Sequence, residues 1–205
     1  MTTTRMIASL AILAGSLISA PSMATPLGLT LADQPDIVSI FIDTVYNAGT
    51  QSLTADGFAS QLDYDSVLSP ESISGGLFDL DATVDNAGNL IGGSISIFGT
   101  IANLGFNSGT LLTGALTAIG SDISGDGTLE FLFSVNGGDA AALFGDIGGI
   151  ILAPTGFADA WDQDFSQMMT GRADTAAMAA PEPGILFLQG LGLLMLVMLR
   201  RRSIR

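Results

Sequence analysis

The feature that most constrains the fold is an alternation of apolar and polar residues within positions 77–85. One face carries Phe78, Leu80, Ala82 and Val84, and the other carries Asp79, Asp81, Thr83 and Asp85. A period of two is that of a β-strand with one buried and one hydrated face. A turn-forming run at 85–89 follows, and apolar residues return over 90–101, so this stretch predicts a β-hairpin. Gly92 and Gly93 in its second arm predict a bulge or a close backbone approach.

Further strands are predicted along the chain where β-branched and aromatic residues are dense and turn residues separate them. They lie at 36–46, 51–55, 58–64, 110–119, 129–135 and 147–152. Alternation in the third of these places Phe58 on the same face as Leu62. About eight strands in one domain predict an all-β fold, an antiparallel β-sandwich-like single domain. A β-solenoid is the main alternative, but the sequence shows no fixed repeat period.

The charge of the central part, 25–180, restricts its partners. It holds all but one of the 20 acidic residues and, in Arg172, one of the 6 basic residues, which gives it a net charge of −18. So acidic a surface repels nucleic acid and anionic lipid, and it favours cationic partners or divalent metal ions. Nucleic-acid binding is therefore not expected.

The chain contains no cysteine and no histidine, and all its basic residues are arginines. Disulfides, thiolate metal sites, histidine-bound zinc and the nucleophilic triads that use histidine are therefore excluded. Any catalysis would have to use carboxylates, hydroxyls or the backbone. We predict no catalytic residues and no enzyme activity.

Calcium is the only cofactor that the sequence suggests. Asp79, Asp81 and Asp85 share one face of the predicted strand, and Asn89 ends the turn that follows it. Their side chains offer the oxygen ligands that calcium prefers, although no EF-hand spacing is present. The alternative is a solvated sheet face that keeps an acidic domain soluble.

Two sugar-related hypotheses also arise from single residues. Glu71 and Glu130 are the glutamates of the domain and the candidates for a glycosidase pair, but the sheet pattern places both on exposed positions. Trp161 is the single tryptophan, and it is either a stacking platform for sugars or an anchor that packs a terminal segment on the core. The anchor is the favoured interpretation.

The domain is predicted to end at residue 167. The stretch 168–180 is rich in alanine, threonine and methionine and has few large apolar residues. This composition predicts a flexible linker between the β-rich domain, 25–167, and the C-terminal tail.

The first 24 residues have the features of a secretory signal peptide. Arg5 precedes an apolar segment at 6–20, and small residues occupy positions 22 and 24. We predict that a signal peptidase cleaves after Ala24, which sends the rest of the chain across the inner membrane.

The last 25 residues, 181–205, combine three features in order. Pro181, Glu182 and Pro183 come first, an apolar run follows at 184–199, and Arg200, Arg201 and Arg202 close it. At about 1.5 Å per residue this run would form a helix of about 24 Å, near the short limit for crossing a bilayer. By the positive-inside rule the arginines would stay in the cytoplasm and stop the chain in the membrane.

This tail resembles the PEP-CTERM sorting signal of Gram-negative bacteria. The resemblance implies that Pro181, Glu182 and Pro183 are the motif recognised by exosortase, a membrane-embedded cysteine protease or transpeptidase, and that processing occurs near them. It also implies export in association with exopolysaccharide and biofilm. Gln189, a polar residue within the apolar run, departs from the family's usual pattern.

These observations predict a non-catalytic protein of the cell surface or extracellular matrix, with a transient single-pass membrane intermediate. Its expected partners are signal peptidase, exosortase, the membrane through segment 184–199, and exopolysaccharide. The alternative is a secreted calcium-dependent carbohydrate-binding module. The mature form is expected in the cell envelope or outside it, either released, retained at the surface or linked to a glycan.

Overall fold

The computed structural model describes residues 25–121, 127–154, 156–157 and 160–179. Nine strands and two short helical turns make up this part of the chain. They are β1 (Leu31–Asn47), β2 (Ser52–Asp63), β3 (Glu71–Ser72), β4 (Ser74–Val84), β5 (Leu90–Ile101), a 3-10 turn (Ala102–Leu104), β6 (Phe106–Ser121), β7 (Leu129–Gly137), α1 (Ala141–Phe144), β8 (Ile147–Ala153) and β9 (Phe165–Met178). The prediction of an antiparallel all-β fold is confirmed.

The strands form one closed barrel. The eight long strands pair antiparallel in the order β1-β2-β4-β5-β6-β7-β8-β9, and β9 pairs with β1 to complete the ring. The two-residue β3 adds to the end of β2. Two stretches predicted as separate strands, 51–55 and 58–64, are one continuous strand, β2.

A closed barrel replaces the predicted sandwich because β9 was not anticipated. The predicted linker, 168–180, is wrong over 168–178, where the chain forms most of β9 between β1 and β8. Inward positions of β9 carry small residues, Gly171, Ala173 and Thr175, all of them buried. Large side chains from other strands fill the centre of the barrel, so small residues suffice here. A strand of this composition lacks the apolar signal that sequence patterns detect.

Side chains fill the interior, as expected for eight strands. Phe133 of β7 shows how closely they fit. A Cβ atom on Gly148 would lie 2.2 Å from the Phe133 ring, and one on Gly114 would lie 2.3 Å from it. The ring therefore lies in a notch between two glycines on the strands that flank its own.

Each end of the barrel is covered. At one end Trp161, 3% exposed, packs edge-on against Tyr46 and Phe157. The Tyr46 hydroxyl lies 3.0 Å from the carbonyl oxygens of both Val84 and Trp161. Trp161 is thus the predicted anchor, and the stacking-platform alternative is wrong. At the other end α1 packs on β6, β7 and β9 with Phe144 buried.

The residues that precede β1 cross the outer wall of the barrel. Leu27 passes directly over Gly120, where a Cβ atom would lie 2.6 Å from the Leu27 amide nitrogen. The amides of Gly28 and Leu29 then donate hydrogen bonds to the Glu130 carboxylate, at 2.9 and 3.3 Å. This segment, 25–30, is therefore held against β6 and β7.

Both predicted targeting segments, 1–24 and 181–205, lie outside the described residues. The cleavage site at Ala24, the sorting motif and the arginine cluster lie there too. Among the residues that the structure describes, no helix has the length and apolar character needed to cross a bilayer.

Candidate functional site

The four residues predicted to bind calcium divide into two groups. Asp79 and Asp81 lie exposed on the outer wall of β4. Asp85 instead organises the β4–β5 turn, where its carboxylate accepts hydrogen bonds from the Asn89 amide, at 2.8 Å, the Asn89 side chain and the Ala87 amide. The Asn89 hydrogen bonds lower the pKa of Asp85. Within the described residues, no three acidic side chains are grouped to hold a metal, so the calcium site stays a prediction.

The two domain glutamates do not form a pair. Glu71 lies on β3 beside β2, and its carboxylate accepts a 2.7 Å hydrogen bond from Asn103. Glu130 lies on β7, which is three strands away from β4, the neighbour of β2 in the ring. Its carboxylate accepts a hydrogen bond from the segment before β1. Both are half-buried rather than exposed as predicted, because these contacts cover them.

An apolar row crosses three neighbouring strands on the outer wall; it consists of Phe58, Leu77 and Phe98. Leu77 pairs directly with Phe98, and the pairing of Gly57 with Phe78 places Phe58 beside Leu77. The exposed fractions of the three side chains are 51%, 50% and 39%. With strands about 4.8 Å apart, the row is about 10 Å long. Because these exposed apolar side chains are contiguous, the row is a candidate interaction surface.

A bulge in β1 adds Phe41 to the same side of the barrel. The register of β1 against β2 shifts between Ile40 and Asp43, and Phe41 adopts a positive φ of 54°. Phe41 is consequently turned outward and is 52% exposed, although the next residue, Ile42, is fully buried. A positive φ is uncommon for a bulky residue, and such conformations concentrate at functional sites.

Glycines on both neighbouring strands make room for this bulge. A Cβ atom on Gly57 would lie 2.6 Å from the Ile42 side chain, and one on Gly171 would lie 2.9 Å from the Ile42 carbonyl oxygen. A glycine inside a strand, such as Gly57, is the local sequence signal for a bulge, whereas the position of Gly171 on the other side of Ile42 is known only from the fold.

A carboxylate row runs alongside the apolar row; it consists of Asp43, Asp56 and Asp79. Asp56 pairs with Asp43 on one side and with Asp79 on the other. On each strand the carboxylate row and the apolar row are two residues apart, a distance of about 7 Å. Partial burial, and then the neighbouring Asp79 carboxylate, raise the pKa of Asp56. The row therefore concentrates negative charge, and a cation placed beside it would relieve the repulsion.

A shallow groove of about 450 Å³ lies where the two rows meet. Asp56 and Asp79 line it from the carboxylate row, and Leu77 and Phe98 line it from the apolar row. Apolar side chains and carboxylates thus face the same space.

A second acidic cluster lies on the outer wall where β9, β1 and β2 meet. Asp36 pairs with Asp63 on β2, and Val38, two residues on, pairs with Asp174 on β9. Burial, and then a hydrogen bond with Asp174, raise the pKa of Asp36 to about 8. The raised pKa favours the protonated form of Asp36, so this cluster should make the stability of the fold depend on pH.

Comparisons with protein-family models, with curated protein sequences and with solved structures find no match to this chain. The function must therefore be inferred from the residues and their geometry.

Proposed function

We propose that this chain is an exported, non-catalytic protein of the cell surface or extracellular matrix, which exosortase sorts and which associates with exopolysaccharide. The observation that carries the proposal is the C-terminal order of Pro181, Glu182 and Pro183, the apolar run 184–199 and the arginines at 200–202. An apolar helix with a cationic inner end would hold the chain in the membrane while an enzyme acts just outside it.

The chemistry of the chain supports a non-catalytic role. It has no cysteine, histidine or lysine from which to build a nucleophile or an imidazole base. The glutamates of the barrel, Glu71 and Glu130, lie on different strands and each accepts a hydrogen bond from a structural partner. A two-carboxylate mechanism needs two such groups on either side of one glycosidic bond.

Mass spectrometry of the C-terminus in strains with and without exosortase tests the proposal. In the parent strain the chain should end near Pro181, and in the strain lacking exosortase it should keep Arg205. Pro181→Ala with Pro183→Ala should leave the tail uncut in the parent strain, whereas the control Ser203→Ala should be processed normally. Identical C-termini in both strains would refute sorting by exosortase.

A second candidate is the calcium-dependent carbohydrate-binding module, which the apolar row beside the carboxylates favours. Calcium bound at Asp79 and Asp81 would stabilise the fold by mass action. The thermal midpoint of the purified protein should then rise with millimolar calcium and return to its starting value with chelator. An unchanged midpoint would contradict the calcium dependence.

A further inference from the structure

The outer wall offers a ligand two kinds of contact at once. Leu77 and Phe98 present apolar surface to the groove, and Asp56 and Asp79 present carboxylates about 7 Å away along the same strands. A ligand that uses both must combine an apolar face with positive charge. Ammonium groups meet both conditions, because they pair with carboxylates and are also attracted to the faces of aromatic rings.

The shape of the surface favours a chain of rings over a peptide. Strand addition of a peptide needs a free sheet edge, and binding of an amphipathic helix needs a concave apolar groove. The eight long strands described here close on themselves, so their ladders leave no edge for strand addition, and the outer wall of a barrel is convex. Sugar rings, in contrast, carry apolar C–H faces and polar rims, and the rims can reach Ser96 and Thr113, which continue the carboxylate row on β5 and β6.

The length of the two rows favours a polymer over a single small molecule. Phe58, Leu77 and Phe98 extend over about 10 Å, and Phe41 lies beyond Phe58 on the next strand. A groove this shallow cannot enclose a small molecule, whereas an extended polymer would contact several strands and gain from each contact.

We propose that the apolar row and the carboxylate row bind a polymer of amino sugars, with sugar faces on Leu77 and Phe98 and ammonium groups at Asp56 and Asp79. This rests on the proposed association with exopolysaccharide and names its chemistry as cationic. The positive charge is part of the ligand, so binding needs no calcium. The net charge of −18 over 25–180 would further attract such a polymer at long range.

The test is binding of the full chain, in non-ionic detergent with chelator, to three probes at mildly acidic pH. The probes are a hexamer of glucosamine, a hexamer of N-acetylglucosamine and hexalysine. The glucosamine hexamer should bind at least about tenfold more tightly than either of the others, because only it combines sugar faces with ammonium groups. Its affinity should fall as salt is added, since the charges lie at the surface.

Variants separate the contribution of the apolar row to binding from that of the carboxylate row. Leu77→Ser with Phe98→Ser should weaken glucosamine-hexamer binding by about tenfold and leave its salt dependence unchanged. Asp56→Asn with Asp79→Asn should weaken binding by about tenfold and flatten the salt dependence. The controls are Ile91→Ser, which changes an exposed apolar residue near the other end of β5, and Asp162→Asn, which changes an exposed acid on a loop.

Three results would overturn the inference: equal binding of hexalysine, equal binding of the acetylated hexamer, or row variants that behave like their controls. The outcome is separable from that of the C-terminal mass spectrometry. A chain that binds the glucosamine hexamer but keeps its tail in cells would refute the sorting and leave the binding surface. A chain whose tail is cut but which does not bind the glucosamine hexamer would refute the binding surface and leave the sorting.

Discussion

Gly148→Ala should destabilise the barrel because it closes the notch that holds Phe133. The new Cβ atom would lie 2.2 Å from the Phe133 ring, whereas carbon atoms in contact prefer about 3.5–4.0 Å. The ring cannot move away, since Gly114 approaches it equally closely from the other neighbouring strand and Phe133 is fully buried. Overpacking of this kind costs about 1–3 kcal/mol, and the rigid site places the cost near the upper end.

Urea unfolding followed by tryptophan fluorescence measures the effect directly. Trp161 is the single tryptophan and is buried at the barrel end, so its emission reports loss of the fold. The gain from replacing a flexible glycine offsets roughly 0.5–1 kcal/mol, which leaves a net loss of about 2 kcal/mol. With a urea slope of about 2 kcal/mol/M, the midpoint should fall by about 1 M.

Gly92→Ala is the matched control, because it lies in β5 with nothing within 4 Å of its added Cβ atom. Its midpoint should be unchanged or slightly higher. Phe133→Leu combined with Gly148→Ala should cost less than the sum of the two single changes, since the smaller side chain relieves the overlap. Equal midpoints for Gly148→Ala and Gly92→Ala would refute the packing of Phe133 against Gly148.

Three further predictions concern stability. The pKa of Asp36 is about 8 in the fold against 3.8 ordinarily, so its contribution to stability is complete below about pH 4 and is lost as pH rises to about 8. Asp36→Asn should remove this part of the pH dependence, roughly 2 kcal/mol after solvent screening, from the free energy of unfolding measured by urea titration at several pH values. A variant with the pH profile of the wild type would contradict this. Glu130→Gln weakens the hydrogen bonds from Gly28 and Leu29 by about 1 kcal/mol, and faster hydrogen exchange at these two amides should show it, with unchanged exchange counting against the contact. Tyr46→Phe should cost about 1–3 kcal/mol by urea unfolding, because it removes a buried donor, and a loss below about 0.5 kcal/mol would contradict that.

Local patterns predicted the hairpin of β4 and β5 well. Alternation over 77–85 correctly separated buried Phe78 and Leu80 from exposed Asp79 and Asp81, and Gly92 does lie at a register shift. These features depend on neighbours a few residues away, so they are visible in the sequence. Closure of the barrel is not visible in the sequence, because it depends on pairs such as Ile40 with Arg172, which are more than 100 residues apart.

Bulges account for the side chains whose orientation was predicted wrongly. Alternation placed Phe58 with Leu62, but the β1–β2 register shifts between these positions, so Leu62 points inward and Phe58 outward. Ile91 likewise lies at a register shift in β5 and is exposed, although uninterrupted alternation would place it on the same face as the buried Ile95. One inserted residue reverses the faces of a strand, and sequence alternation alone does not reveal where this happens.

The barrel separates stability from binding in space. An eight-stranded barrel has an interior just wide enough for its own side chains, and here Tyr46, Phe131 and Phe133 occupy it with both ends covered. Recognition by the described residues therefore has to use the outer wall or the loops. Substitution of an exposed residue such as Phe98 should then change binding with little effect on unfolding, whereas substitution at Gly148 should do the opposite. If Phe98→Ser lowered the urea midpoint as much as Gly148→Ala, the apolar row would be part of the stabilising core and would lose its claim to be a binding surface.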